Sequence, residues 1–184
     1  MTPHPAVTQI VDALNAVAVP YMLVGSLSSM FYGIPRSTVD ADFVVQLEDK
    51  PLRTVLEKLP TSFRLNPQME FETATGTIKN VLRIDDTDFL IELFRLSSDP
   101  HDQARFERRI KVDYFGRDVW LPTAEDVIVM KARWMRNKDH DDIRDVISVQ
   151  GKTLDWNYID HWASQHGTLD SLHKIRDSAP QFND

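Results

Sequence analysis

Cysteine is absent from this 184-residue chain, which excludes disulfides, thiolate metal ligands and thiol nucleophiles and fits a cytoplasmic protein. Long apolar runs are absent as well. The run from Ala16 to Gly25 is broken by Pro20 and falls well short of the roughly 18 residues a membrane span needs. The opening Met-Thr-Pro-His-Pro lacks the basic and apolar stretches of a secretion signal. Positive charge is in deficit, with 21 Lys and Arg against 28 Asp and Glu, a net charge of −7. Non-specific coating of nucleic acid is therefore disfavoured, because phosphate binding depends on Lys and Arg; a local basic site stays compatible. No repeat or low-complexity tract is visible. What is left, 42% apolar and 27% charged, is an ordinary globular composition, with length for one domain or one domain plus a small helical annex.

Periodicity organises the chain. Val7, Ile10, Val11, Leu14 and Val17 recur at helical spacing, so residues 5–18 read as an amphipathic helix. Tyr21 to Val24 has strand length, and Gly25-Ser26 opens a helical stretch from Leu27 to Tyr32, ended by Gly33 and Pro35. Asp40 to Leu47 reads as a strand and Lys50 to Leu59 as a helix. Asn80 to Ile84 and Asp88 to Phe94 flank a turn-like Asp85-Asp86-Thr87, predicting a hairpin; Ile110 to Tyr114 and Asp118 to Leu121 predict a second. Thr123, with Asp126 three residues on, is a helix N-cap, and the pattern is helical to Asp177 with breaks near Gly151 and Gly167. The expected fold is α+β: a mixed-sheet core over residues 1–121, then a helical C-terminal part over 122–184 packed on it.

The chemistry concentrates in Val24-Gly25-Ser26 and in Asp40-Ala41-Asp42. A strand ending in Gly-Ser at a helix start offers free backbone N–H groups and a small hydroxyl, a combination suited to phosphate. Taken alone it is equally a turn and an N-cap. Asp40 and Asp42 are two apart, so on a strand their carboxylates share a face. Such a pair suits Mg²⁺ when phosphates supply other ligands; taken alone it is a solvated strand edge. Glu92 is an acid between Ile91 and Leu93 in an otherwise apolar strand, where burial without a partner would be costly. It is either a third site carboxylate or the solvent face of a one-sided sheet.

These residues resemble the DNA polymerase β-like nucleotidyltransferase superfamily. Gly25-Ser26 and Asp40-Ala41-Asp42 are similar to its hallmark, and Arg36-Ser37-Thr38-Val39-Asp40-Ala41-Asp42 is similar to the Arg-X-Thr/Ser-X-Asp-X-Asp form of the AbiEii-like branch. Glu125 to Trp134 followed by Lys138-Asp139 and Asp142 resembles that branch's helix with an active-site Lys and a Lys/Arg-Asp-X-X-Asp run. The resemblance implies nucleotidyl transfer from an NTP such as ATP, with two Mg²⁺ ions on Asp40, Asp42 and Glu92. It implies Gly25, Ser26, Arg36 and Thr38 on the nucleotide, Lys131 against phosphate charge, and Asp139 and Asp142 in support. Two departures stand out: the third acid is Glu where the superfamily usually has Asp, and the chain is shorter than many AbiEii-like toxins.

The acceptor is open at this point: an RNA end, a protein hydroxyl or a small molecule, with an antitoxin as a further partner if the chain acts as a toxin. The competing reading is a catalytically degenerate nucleotide- or partner-binding module on the same fold. Arg105, Arg108, Arg109 and Lys111 form one basic cluster and Lys131, Arg133, Arg136 and Lys138 another. Either could meet RNA or a triphosphate, or form a salt-bridged surface. Trp134, Trp156, Tyr158 and Trp162 are expected as core or interhelix anchors. His101, His140, His161 and His166 have no zinc spacing, so no metal is assigned to them.

Overall fold

A computed structural model describes residues 5–48, 50–73 and 75–180; residues 1–4, read above for a secretion signal, lie outside the described residues. The first helix, α1 (Pro5–Ala16), buries Ile10, Val11 and Leu14 completely. The stripe anticipated from their spacing faces the sheet. β1 (Tyr21–Val24) runs directly into α2 (Gly25–Tyr32), and β2 (Asp40–Val45) follows. A short α3 (Leu52–Leu56), β3 (Phe63–Leu65) and β4 (Glu70–Glu72) lead to β5 (Thr77–Ile84) and β6 (Leu90–Arg95). Then come α4 (Pro100–Arg108) and the hairpin β7 (Ile110–Asp113) and β8 (Asp118–Leu121). Four helices complete the chain: α5 (Ala124–Trp134), α6 (Asn137–Gln150), α7 (Trp156–Gln165) and α8 (Leu169–Ser178).

Both expected hairpins are present. β5 pairs antiparallel with β6, and β7 with β8. The main sheet has the order β1-β2-β6-β5-β3, with β4 also on β5. β2 and β6 are its parallel pair, Asp42 standing opposite Glu92. Three elements went unread in the sequence. β4 is Glu-Phe-Glu with two of its three residues exposed, the phenylalanine included, so it offers no buried apolar position to read. β3, Phe-Arg-Leu, is three residues long. α4 is polar throughout except for Ala104 and Phe106, but Asp99 capping its first turn and Pro100 at the first helical position were a readable start signal.

One sheet face is the main core: Leu23, Phe43, Leu82, Ile91 and Leu93 pack with α1 and with Val55 of α3. Alternation puts the neighbouring residues on the other face, where Met22, Val24, Val44 and Phe94 meet Phe106 of α4. A separate apolar core joins α5 to α8 through Ile128, Ala132, Ile143, Val146, Ile159 and Leu172, with Tyr32 reaching in from α2. The Tyr32 hydroxyl donates to the Pro122 carbonyl at 2.8 Å, fixing α2 against the start of α5. Among the described residues no helix is long and apolar enough to cross a membrane.

Candidate active site

The β1–α2 junction and β2 meet at closest range where Gly25 faces Asp42. Gly25 has φ +66°, and a Cβ added there would lie 1.9 Å from Asp42 Oδ2. Only glycine accommodates both the backbone conformation and that approach. Asp40 and Asp42 share one face of β2, and the parallel register places Glu92 beside Asp42 on that face. Thr38 donates to Asp40 Oδ1 at 2.6 Å, fixing the first carboxylate. Burial, followed by the negative charges of Asp40 and Glu92, raises the Asp42 carboxyl to about 7, against the pull of Lys131 and Lys138.

Glu92 has a partner that went unnoticed in the sequence. Lys79 of β5 donates to Glu92 Oε1 at 2.7 Å and also reaches Glu70 Oε2 at 3.3 Å. Burial would lower the Lys79 ammonium, but the hydrogen bond and charge of Glu92 raise it. The readable signal was the hairpin: pairing across residues 85–87 brings Lys79 opposite Phe94, two positions and one face from Glu92.

A second constellation faces the carboxylates from the helical side. Lys131, only 6% exposed on α5, donates to Asp139 Oδ1 at 3.0 Å and to Asp142 Oδ2 at 2.6 Å. α5 stops because Met135 adopts a left-handed conformation, its N–H bonded to the Lys131 carbonyl. Arg136 then opens α6, and Asp139 closes that helix start by accepting from the Arg136 backbone N–H at 3.2 Å. This sharp reversal swings Asp139 and Asp142 back onto Lys131. Burial would raise both carboxyls, yet Arg136 on Asp139, and Arg36 and Lys131 on Asp142, hold them below the ordinary carboxylate range.

Arg36, expected on the nucleotide, is bonded within the protein here. Its Nε donates to Asp142 Oδ1 at 3.0 Å, one Nη to Asp142 Oδ2 at 3.1 Å and to Ser26 Oγ at 2.9 Å, and the other to the Ser37 carbonyl at 3.2 Å. Every guanidinium nitrogen is engaged within the protein. Ser29 adds a hydrogen bond to Asp142 Oδ2 at 3.2 Å. Arg36 thus ties Ser26 of α2 to Asp142 of α6, and Thr38 serves Asp40. Neither residue lines the cleft that the site opens into.

That cleft is lined by Gly25, Ser26, Asp40, Asp42, Glu92 and Lys131, so six of the expected site residues share one space. About 830 Å³ of space lies between its walls, open solvent at its mouth included. Lys138, Arg136, Met130 and Trp134 also line it. Trp134 is therefore a cleft residue rather than the core anchor its helical setting suggested, whereas Trp156 and Trp162 do pack against the helical core. The basic clusters divide in the same way. Arg133 binds Asp99 at 3.0 Å in a half-buried ion pair and Lys111 binds Asp118 at 3.2 Å on the surface, while Lys131, Arg136 and Lys138 reach the cleft.

Among the described residues no three carboxylate or imidazole groups stand close enough together to form a ready-made metal cage. The donor set nevertheless fits a hard divalent cation. Asp42 is raised by burial and then by the negative charge of Asp40 and Glu92, and a cation would relieve that repulsion.

The fold recurs in solved structures. The antibiotic-resistance factor ANT(2'')-Ia, in complex with adenylyl-2''-tobramycin, is 11% identical with a TM-score of 0.63 over 88% of this chain and 95% of that one. The lincosamide antibiotic adenylyltransferase LnuA, bound to lincomycin, is 16% identical with a TM-score of 0.56 over 80% of this chain and 98% of that one. JHP933 from Helicobacter pylori is 15% identical with a TM-score of 0.52 over all of this chain and 87% of that one. None of the curated proteins matches the sequence. Residues 6–179 match the family described as "Nucleotidyltransferase of unknown function (DUF6036)". With nearly its whole length accounted for by that match, the chain belongs to this nucleotidyltransferase family.

Proposed function

We propose that the protein is a Mg²⁺-dependent nucleotidyltransferase that moves a nucleoside monophosphate from an NTP, ATP in the first instance, to a hydroxyl of a small molecule. The observation that carries this reading is the convergence of Asp40, Asp42 and Glu92 with Gly25, Ser26 and Lys131 on a single cleft. Asp40 and Asp42 would hold the metal, with Glu92 beside them. Mg²⁺ supplies charge neutralisation for the triphosphate.

The protein's own groups have the following parts. The α2 N-terminus at Gly25 and Ser26 binds the terminal phosphates, and Lys131 and Lys138 offset their charge. The acceptor oxygen attacks the α-phosphorus as the bond to the bridging oxygen breaks. Pyrophosphate leaves toward Gly25 and Lys131, and the acceptor's proton passes to Glu92. Arg36, Thr38, Asp139 and Asp142 act by positioning, since each is bonded to Ser26, Asp40 or Lys131. Residues 1–121 supply the carboxylates and the phosphate-binding turn, and residues 122–184 supply the lysine wall. The small-molecule acceptor is favoured by the relatives bound to adenylyl-2''-tobramycin and lincomycin. The Arg36 to Asp42 and Lys131 to Asp142 motifs support an AbiEii-like placement within the superfamily; a toxin role with an antitoxin partner rests on that placement alone.

A second reading, nucleotide binding without turnover, is favoured by the 2.7 Å bond that Lys79 makes to Glu92. Incubation with labelled ATP, Mg²⁺ and a panel of hydroxyl acceptors separates the two. Transfer that disappears in Asp42→Asn is expected. Transfer at the wild-type rate in that variant refutes the assigned site, and tight nucleotide binding with no transfer to any acceptor selects the second reading.

A further inference from the structure

The cleft extends beyond the carboxylates. Arg95 closes β6 three register positions after Glu92, a displacement of about 10 Å along the strand. Arg95 lines the cleft, yet its Nε is buried without a hydrogen-bond partner, and it has no carboxylate partner among the described residues. The Trp134 Nε1 is the other buried orphan on a cleft residue. Both groups are donors only. Arg105 of α4, 5% exposed, adds a third cleft-lining donor and is paired with Asp102.

Local bonding gathers these three residues at one end. Immediately after β6, Ser97 donates through its backbone N–H at 2.9 Å and its hydroxyl at 2.8 Å to Asp102 Oδ2 in the first turn of α4. Asp99, the α4 cap, accepts two hydrogen bonds at 3.0 Å from Arg133, the residue before Trp134. An orphaned guanidinium Nε and an orphaned indole N–H lining one cleft are costly unless something bearing lone pairs arrives. The phosphate-binding turn at Gly25 and Ser26 stands by the start of β2, whereas Arg95 stands opposite Val45 at its end, so an NTP seated on that turn is expected to leave these donors free.

We propose that Arg95, Arg105 and Trp134 form an acceptor subsite for a carboxylate or phosphate. The acceptor is then a small hydroxyl compound carrying such an anionic group on the order of 10 Å from the reacting oxygen. The buried position of the donors selects a compact terminal group over a polymer backbone. This inference rests on the transferase reading for the word acceptor, but the anion site itself is testable separately.

The test follows the Trp134 indole N–H resonance by two-dimensional NMR, assigned by its loss in Trp134→Phe. Inorganic phosphate or benzoate is titrated into the full chain, first alone and then with Mg²⁺ and α,β-methylene-ATP present. Saturable movement of the Trp134 signal that persists with the nucleotide analogue bound is expected, weakened roughly ten-fold or more in Arg95→Gln. Response to phosphate alone assigns a phosphate-bearing acceptor, and response to benzoate alone a carboxylate-bearing one. A Trp134 signal that neither anion moves overturns the subsite. So does a signal moved by the nucleotide analogue alone and then deaf to anions, which would give the donors to the nucleotide. The wild-type titration decides the matter even if Arg95→Gln folds poorly, and Arg95→Lys, which keeps the charge, should retain part of the response. Failure of the analogue to bind counts against the transferase reading, and the titration in its absence still decides whether this end holds an anion.

Discussion

Replacing Asp42 by Asn should stabilise the protein while ending nucleotidyl transfer. The carboxyl titrates near 7 in the folded state because it is buried beside Asp40 and Glu92, against about 3.9 for an unstructured Asp. An acid whose folded value is raised keeps its proton longer in the folded chain than in the unfolded one. Stability therefore falls as pH climbs from about 4 to about 7, and the loss is complete above that. About three units at 1.36 kcal/mol each set a ceiling of about 4 kcal/mol; the partial exposure of the side chain reduces the expectation to about 2 kcal/mol. Asn keeps the shape without the charge. Urea unfolding of both proteins in metal-free buffer from pH 4 to pH 8 should show the variant gaining over wild type through pH 4 to 7, then a constant advantage. Saturating Mg²⁺ at pH 8 should narrow the gap by stabilising wild type and leaving the variant unchanged. A stability difference that is flat across that range, or a variant less stable than wild type at pH 8, would refute the electrostatic reading of this site.

Three further outcomes are expected. Gly25→Ala places a methyl where Asp42 Oδ2 now lies, 1.9 Å from the new Cβ; kcat/KM for transfer should drop by roughly a hundred-fold or more as the carboxylate is displaced, and wild-type kinetics would show that the close approach is irrelevant. Asp142→Ala strips Lys131 and Arg36 of their shared partner, and urea denaturation should record a loss of about 3 kcal/mol. Tyr158→Phe removes a 2.6 Å hydrogen bond to the buried carboxylate of Asp126, costing about 1.5–3 kcal/mol in thermal unfolding without changing nucleotide affinity.

Much of this structure was legible because the sheet and its packing are period-driven. Val7, Ile10, Val11 and Leu14 mark the buried face of α1, and the two-residue spacing of Asp40 and Asp42 by itself puts both acids on one side of β2. Thr123 with Asp126 fixed the start of α5, where Thr123 indeed accepts from the Asp126 backbone N–H at 3.4 Å. The pairing of Lys79 with Glu92 was not read, because it depends on hairpin register, and a one-position slip would send the lysine to the opposite face. Arg36 illustrates another limit: nothing local in the sequence joins it to Asp142, 106 residues away, which its guanidinium binds. Trp134 looked like core because helical spacing reports which side of a helix is apolar, not whether that side is capped by protein or left over a cleft. α4 was missed because its stability comes from a cap and ion pairs rather than an apolar stripe.

Asp142 has a consequence for how such a protein can change over generations. A single carboxylate receives Ser29 and Arg36 from one side and Lys131 from the other, so the keystone joining α2 and its following loop to the C-terminal helices sits directly behind the cleft lysine. The helical segment is therefore not an interchangeable module. A shuffling event that exchanged it for another bundle would unseat Arg36, Ser26 and the cleft lysine together. Descendants are freer to diversify at the β4–β5 edge and around Arg95, which make no bond to that joint.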